Sequence, residues 1–376
     1  MESPFRISPG DASRRRPAWL LPTPARRDDS GEESPVRALL IRLMRGEDLP
    51  RADAALLFGA AMDERATDAQ IGAALVALAV KGETVDELSG MAEAMRARAA
   101  RIQCRHARFI DTAGTGSSHA KTFNVSTAAA FVCAGAGLPV AKHGSRAATS
   151  LSGSADVLSE LGVKVEVDAA VSERCLNEIG ICFLFAPLYH KATARVAKIR
   201  RQLGVHTTFN LLGPLTNPAG APRQIIGVWH ESLLELLAHT LVALGTHHAW
   251  VVHGTDGLDE VTTSGPTKVA EASGGQVRTF TIHPRDFGLE SRSALQQLRG
   301  GSARDNAQLI RAIFRGENDT RAEAARELVV ANAAAALFVG GLEENLANAA
   351  GRAVESIRSG AAMEKLEALC QETQAA

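Results

Sequence analysis

Four short apolar runs, at Phe109–Asp111, Pro139–Lys142, Ile181–Phe185 and Trp250–His253, recur along the second part of the chain. Helical stretches separate them, and glycine-rich turns sit at strand ends. Strands this short and this apolar are buried on both faces, so helices must cover them. The alternation predicts a sheet flanked by helices, with ligands at the carboxyl ends of its strands. The segment from Arg321 to about Gln371 is rich in Ala, Leu and Glu and reads as helical. At 376 residues the chain has room for two or three domains. Only 4% of residues are aromatic, so the core has to be aliphatic and alanine-rich.

The text before the strands is different. Residues 1–33 mix prolines, arginines and acids without apolar periodicity, which predicts a disordered extension. From Ser34-Pro35 a helix start is followed by Val36, Leu39, Leu40 and Leu43 on one face, and Gly46 stops it. A second helix fits Arg51 to about Arg65. Thr67-x-x-Gln70 and Thr84-x-x-Glu87 are capping boxes, each opening a further apolar face. Residues 34–104 therefore form a small helical domain, and residues 105–376 an α/β domain. Four short helices show more apolar surface than one bundle hides, which points to a partner on the outer face.

Several function classes are disfavoured. Lys and Arg total 41 against 42 Asp and Glu, and a net charge of −1 lacks the basic excess that nucleic-acid phosphates demand. The longest apolar run, Ile71 to Val80, is half of the roughly 20 residues a membrane span requires. Five scattered cysteines, none in a C-x-x-C pair, suggest neither a disulfide framework nor a zinc site and place the protein in the cytoplasm.

Four stretches carry chemistry. Gly114-Thr-Gly-Ser-Ser-His-Ala-Lys-Thr-Phe-Asn-Val-Ser-Thr127 runs from a strand into a helix, and glycines, hydroxyls and helix-terminal amides there suit an anion. Lys142-His-Gly-Ser-Arg-Ala-Ala-Thr-Ser150, with Ser152 and Ser154 beyond, repeats the arrangement with two cations. Taken alone, each is equally a polar β–α turn with Lys142 on the surface; two in one domain favour phosphate or pyrophosphate. A cation at Lys142, in a loop beside glycines, is expected to contribute little to the core. Asp256-Gly-Leu-Asp259-Glu260 puts adjacent carboxylates after a strand, where they repel unless solvated or joined by a cation such as Mg²⁺. Arg200-Arg201, followed by Thr208-Phe-Asn-Leu-Leu-Gly-Pro-Leu-Thr-Asn-Pro218, offers an arginine for a carboxylate beside a rigid turn.

In combination, GTG…TFNVST, KHG-x-R-x-x-x-S, RR-x-LG…TxFNLLGPLTNPA and HGxDGLDE resemble the anthranilate phosphoribosyltransferase family, from about residue 36 to the C-terminus. The resemblance implies a nucleoside phosphorylase/phosphoribosyltransferase-like fold: a small helical N-terminal domain that forms a homodimer, and a larger α/β domain with a central sheet flanked by helices. It implies transfer of a phosphoribosyl group from phosphoribosyl pyrophosphate to anthranilate, with Mg²⁺, and no nucleic-acid or membrane partner. The implied phosphoribosyl pyrophosphate residues are Gly114, Ser117, Ser118, Thr122, Asn124, Val125, Ser126, Thr127, Lys142, His143, Gly144, Ser145, Arg146, Ser150 and Ser154. Gly114, His143, Ser145, His190 and Arg200 are implied to meet the acceptor, and Ser126, Asp259 and Glu260 to hold Mg²⁺. No residue is assigned as acid or base. The chain departs from the family pattern at Ser117-Ser118, where the loop usually reads GTGGD, at Ser145 in place of asparagine, at Lys191 in place of proline, and at Thr193 where an aromatic is frequent. Two other readings follow: a related transferase with a different small aromatic acceptor, and a non-catalytic nucleic-acid-binding paralogue. Charge, few aromatics and the Asp259-Glu260 pair argue against the last.

Overall fold

The computed structural model describes residues 35–116, 120–147, 151–290 and 298–376. The extension expected at 1–33, the Ser34 helix start, and Ser117, Ser118 and Ser150 lie outside the described residues.

The helical segment contains α1 (Pro35–Met44), α2 (Arg51–Met62), α3 (Asp68–Lys81) and α4 (Val85–Arg98). Both expected capping boxes form: Thr67 and Gln70 open α3, and Thr84 and Glu87 open α4, each side chain accepting the other residue's backbone N–H. A Cβ at Gly90 of α4 would stand 2.0 Å from the Arg51 carbonyl oxygen, so glycine there lets α2 and α4 pack backbone to backbone.

Seven strands make one sheet: β1 (Ile110–Asp111), β2 (Val140–Gly144), β3 (Ile181–Phe185), β4 (Arg223–Gly227), β5 (His248–Gly254), β6 (Thr267–Ser273) and β7 (Gln276–Ile282). Their order is β3-β2-β1-β4-β5-β6-β7. The first five are parallel, and β6 and β7 add an antiparallel hairpin. All four expected strands are present. The second runs on to Gly144, which puts Lys142 and His143 inside a strand and corrects their expected place in a loop. β4, β6 and β7 were not anticipated. β4 has only Ile225 and Ile226 as large apolar residues. The hairpin is marked in the sequence by Gly274-Gly275, both at positive φ between alternating strands.

Strand order reverses direction between β1 and β4, and this switch point opens a crevice at the carboxyl ends of the strands. β1 feeds α5 (Val125–Gly135), and β2 feeds α6 (Ser154–Glu160). The C-terminal helical region is three helices, Thr320–Val339, Leu346–Arg358 and Ala361–Gln374, packed over α5. A second apolar core joins the α1–α4 side chains to Val196, Ile199, Phe209 and Leu212, so the helices Ala194–Leu203 and Thr208–Leu215 pack on the helical segment. Phe58 and Phe209 meet with ring centroids 4.9 Å apart, and Thr208 donates its hydroxyl to Glu83 (2.7 Å). No helix among the described residues is long and apolar enough to cross a membrane.

Candidate active site

An open cleft of about 1150 Å³ lies over the strand ends at the switch point. Gly114, Thr122, Asn124, Val125, Ser126, Thr127, Lys142, His143, Gly144, Ser145, Arg146, Ser154, Asp259 and Glu260 all line it. Residues more than a hundred positions apart thus meet in one place, because β1, β2 and β5 end side by side around β4.

Glycines make that convergence possible. Gly227 ends β4, and its carbonyl accepts the Thr115 N–H (2.9 Å) and hydroxyl (3.0 Å), tying down the first loop. A Cβ on Gly227 would stand 1.7 Å from the Asp259 carbonyl oxygen, so only glycine lets the acidic turn cross here. The second loop is pinned by Asp156, which accepts the Ala147 and Gly153 N–H groups, both at 2.9 Å. Arg146 pairs with Asp156 and Glu166 and lies over the Phe185 ring, so its charge is already engaged. Val125, though it borders the cleft, is 1% exposed and belongs to the core.

The phosphate side is built on buried polar groups. Lys142 extends its ammonium to the Thr112 hydroxyl (3.2 Å) and the Ser126 hydroxyl (3.3 Å). It is buried in mid-strand, which corrects the expectation of a loop cation with little part in the core. Burial pushes its pKa down, against the pull of Asp111 and Glu260. Thr127, in the first turn of α5, is buried with a hydroxyl that has no partner among the described residues. A cation, a buried unpaired hydroxyl and a helix N-terminus together suit an anion. Glu260 is raised by withdrawal from water and by Asp259, with Lys142 and Ser126 opposing. Two like charges held this way are relieved by a cation. Asp259, Glu260 and Ser126 offer hard oxygen ligands to Mg²⁺, which binds through one or two carboxylates plus phosphate oxygens.

On the opposite face of β2, the His143 Nδ1–H donates to the Gly213 carbonyl (3.1 Å), and Nε2 has no partner among the described residues. The His190 ring stacks obliquely on it at 5.2 Å, behind the cleft lining. Burial and His190 lower His143 to about 3, and burial lowers His190 to about 4, so both rings are neutral near pH 7. Arg200 is half-buried, its pKa lowered by desolvation. It donates to the Thr207 hydroxyl and to the Asn210 side-chain amide oxygen, both at 3.1 Å, and lies over the Phe209 ring. No carboxylate pairs with it among the described residues. Asn210 lines the cleft; Arg200 itself does not, and its guanidinium stands one hydrogen bond behind Asn210.

Sequence reasoning missed Asn210, Gly227, Asn217 and Asp111. Asp111 is fully buried, accepting from His143 N–H (3.2 Å), Ala113 N–H (3.0 Å) and the Asn217 amide (2.7 Å). Asn217 also donates to the Ala141 carbonyl (2.8 Å), so the pair locks the tips of β1 and β2 to the 213–218 turn. The available signals were an aspartate closing the strand just before the glycine loop and an asparagine before Pro218.

The chain matches the family models for the glycosyl transferase family helical bundle domain over residues 37–99 and the glycosyl transferase family a/b domain over residues 106–363. It is 50% identical over 338 residues to the anthranilate phosphoribosyltransferase of Anaeromyxobacter dehalogenans, covering 90% of this chain and 98% of that protein. Among solved structures it is similar to anthranilate phosphoribosyltransferase from Thermus thermophilus, with a TM-score of 0.83, 35% identity, and coverage of 91% of this chain and 100% of that one. It also resembles the Saccharomyces cerevisiae enzyme in complex with phosphoribosyl pyrophosphate and Mg, with a TM-score of 0.82, 27% identity, and coverage of 92% and 99%. The same yeast enzyme in complex with 4-fluoroanthranilate gives a TM-score of 0.80 at 25% identity, with coverage of 92% and 99%.

Proposed function

The chain belongs to the anthranilate phosphoribosyltransferase family, and from that premise we propose how its cleft performs the transfer. The enzyme moves the phosphoribosyl group from phosphoribosyl pyrophosphate to the amine of anthranilate and releases pyrophosphate, a step of tryptophan biosynthesis. In our reading the two glycine loops hold the phosphoribosyl donor, and Arg200 holds the acceptor carboxylate.

The observation that carries this reading is that the two faces of β2 serve two different polar sites. Lys142 meets Thr112 and Ser126 on the α5 side. His143 meets Gly213 of the helix Thr208–Leu215, and Arg200 is braced by Asn210 of that same helix. A donor with a polyanionic leaving group and an acceptor with one carboxylate need such a divided site.

Breaking the anomeric C–O bond gives an oxocarbenium-like transition state in which negative charge grows on the departing pyrophosphate. Lys142 and the α5 N-terminus stand where that charge develops. Asp259, Glu260 and Ser126 would hold Mg²⁺, which on binding supplies further neutralisation of the leaving group. An aromatic amine is nucleophilic without deprotonation, and the neutral, desolvated His143 and His190 keep the acceptor side uncharged apart from Arg200. Catalysis is then mainly positioning and leaving-group electrostatics.

The subunit works as a cytoplasmic homodimer through the helical segment. Met44 (55%) and Val80 (82%), with Leu56 and Val76, are large apolar side chains exposed on that segment, and all five cysteines are free. The test of function is pyrophosphate release from phosphoribosyl pyrophosphate and Mg²⁺ with a panel of aromatic amines. Anthranilate is expected to be the preferred acceptor, and preference for another amine would favour the alternative acceptor that Ser145 and Thr193 raise.

A further inference from the structure

Asn306 lies on the helix Ala303–Phe314, 182 positions from the first glycine loop, and is 2% exposed. Its amide oxygen accepts the Gly301 backbone N–H (2.9 Å). A backbone N–H can only donate, so the Asn306 oxygen faces Gly301, and its NH₂ is left to face Asn124. That NH₂ donates to Asn124 Oδ1 at 3.0 Å. The same oxygen receives the Ser152 hydroxyl (3.4 Å), and the Asn124 NH₂ is turned to the Ser152 carbonyl (3.3 Å).

The chain leading into this helix reinforces the contact. Phe123 N–H donates to the Leu298 carbonyl (3.2 Å), and Gly300 N–H donates to the Lys121 carbonyl (3.0 Å). A Cβ at Gly300 would stand 2.5 Å from the Thr122 carbonyl oxygen, so glycine allows this strand-like approach. Residues 298–306 thus form a brace behind residues 121–124, and the Asn306 side chain carries it to a cleft-lining amide, that of Asn124.

We propose that Asn306 is a positioning residue for the donor substrate: it fixes which way round the Asn124 amide is held and, through Asn124, joins the first phosphate loop to Ser152 of the second. The inference rests on the cleft being the phosphoribosyl pyrophosphate site. Asn306 touches no reacting atom. Its effect falls on donor binding and leaves the acceptor side alone.

The experiment is a double-mutant cycle between Asn124→Ala and Asn306→Ala, read as KM for phosphoribosyl pyrophosphate, KM for anthranilate, kcat and melting temperature. One neutral hydrogen bond predicts a rise of roughly three- to tenfold in the donor KM for Asn306→Ala, with the anthranilate KM unchanged. In the Asn124→Ala background the same change is expected to have almost no further effect on donor KM. Asn306→Asp keeps the acceptor for Gly301 and sets an oxygen against Asn124 Oδ1, so it should raise donor KM at least as much as alanine while remaining folded. The proposal is overturned if Asn306→Asp has wild-type donor KM, or if the two alanine effects simply add. It is also overturned if only melting temperature moves. Failure of the cleft assignment looks different: wild type itself would then show no saturable use of phosphoribosyl pyrophosphate.

Discussion

Lys142 and His143 are neighbours in β2, and their side chains leave opposite faces of the sheet, one toward Thr112 and Ser126, the other toward the Gly213 carbonyl. Strand alternation alone imposes this. A one-residue slip of β2 would exchange the ammonium and the imidazole and dismantle both halves of the cleft at once.

Lys142→Ala is therefore expected to do more than weaken the donor. Losing a charge-assisted bond to phosphate, worth about 1.5–3 kcal/mol, lowers kcat/KM for phosphoribosyl pyrophosphate by roughly 10- to 150-fold. It also removes a buried ammonium that bonds the Thr112 and Ser126 hydroxyls, and leaving buried polar groups without their partner costs about 1–3 kcal/mol of stability. Denaturant unfolding beside steady-state kinetics checks both. Unchanged stability would return the lysine to a loop-like role.

The acidic turn gives a second prediction. Asp259→Asn or Glu260→Gln should weaken Mg²⁺ dependence and lower turnover at least tenfold, about 1.4 kcal/mol of barrier. A Mg²⁺ titration of initial rate is the measurement, and wild-type curves in both variants would remove the metal assignment.

Acid stability follows from the two histidines. Their ordinary pKa is about 6.5, and burial lowers His143 to about 3 and His190 to about 4. Below about pH 6.5 the unfolded chain takes up protons that the native state refuses, so stability is full above that pH and lost as pH falls toward 4. Asp111, raised to about 6 by burial, acts in the opposite sense, because its native carboxyl holds a proton that the unfolded one releases above about pH 4. Replacing His190 by Gln should reduce the loss between pH 6 and 5 by about 1.2 kcal/mol. Urea unfolding at pH 7, 6 and 5 measures it, and parallel slopes for the two proteins would mean His190 is not held neutral.

Assembly is tested at the exposed apolar side chains of α3. Val76 and Val80 lie one turn apart and exposed, so changing both to Asp should leave the subunit folded while shifting sedimentation from dimer to monomer. A wild-type monomer at micromolar concentration would refute the dimer.

Much of this was legible in the sequence because it depends on local chemistry. The Thr67 and Thr84 caps are set by residues three apart, and β3 by five consecutive apolar side chains. Loop residues from Gly114 to Ser154 and the Asp259-Glu260 pair carry their chemistry in their spacing, and the sheet gathers them. What stayed hidden depends on partners far along the chain. Nothing near Gly227 reveals that Asp259 crosses it, and nothing near Asn306 reveals Asn124. Lys142 looked like a loop cation because a strand of small and polar residues, Val140-Ala-Lys-His-Gly144, has no apolar periodicity to extend it. The role of Asn210 became visible only once Arg200 folded back on it.

The measurement that bears most directly on the account is acceptor use by purified wild type and Arg200→Ala, following pyrophosphate release with phosphoribosyl pyrophosphate, Mg²⁺ and anthranilate. Wild type should turn over anthranilate, and Arg200→Ala should lose at least tenfold in kcat/KM for anthranilate, the value of about 1.4 kcal/mol for a charge-assisted bond, with donor KM little changed. A folded, Mg²⁺-supplied wild type that transfers nothing to anthranilate, or an Arg200→Ala variant that uses it as well as wild type, would contradict the divided donor and acceptor cleft.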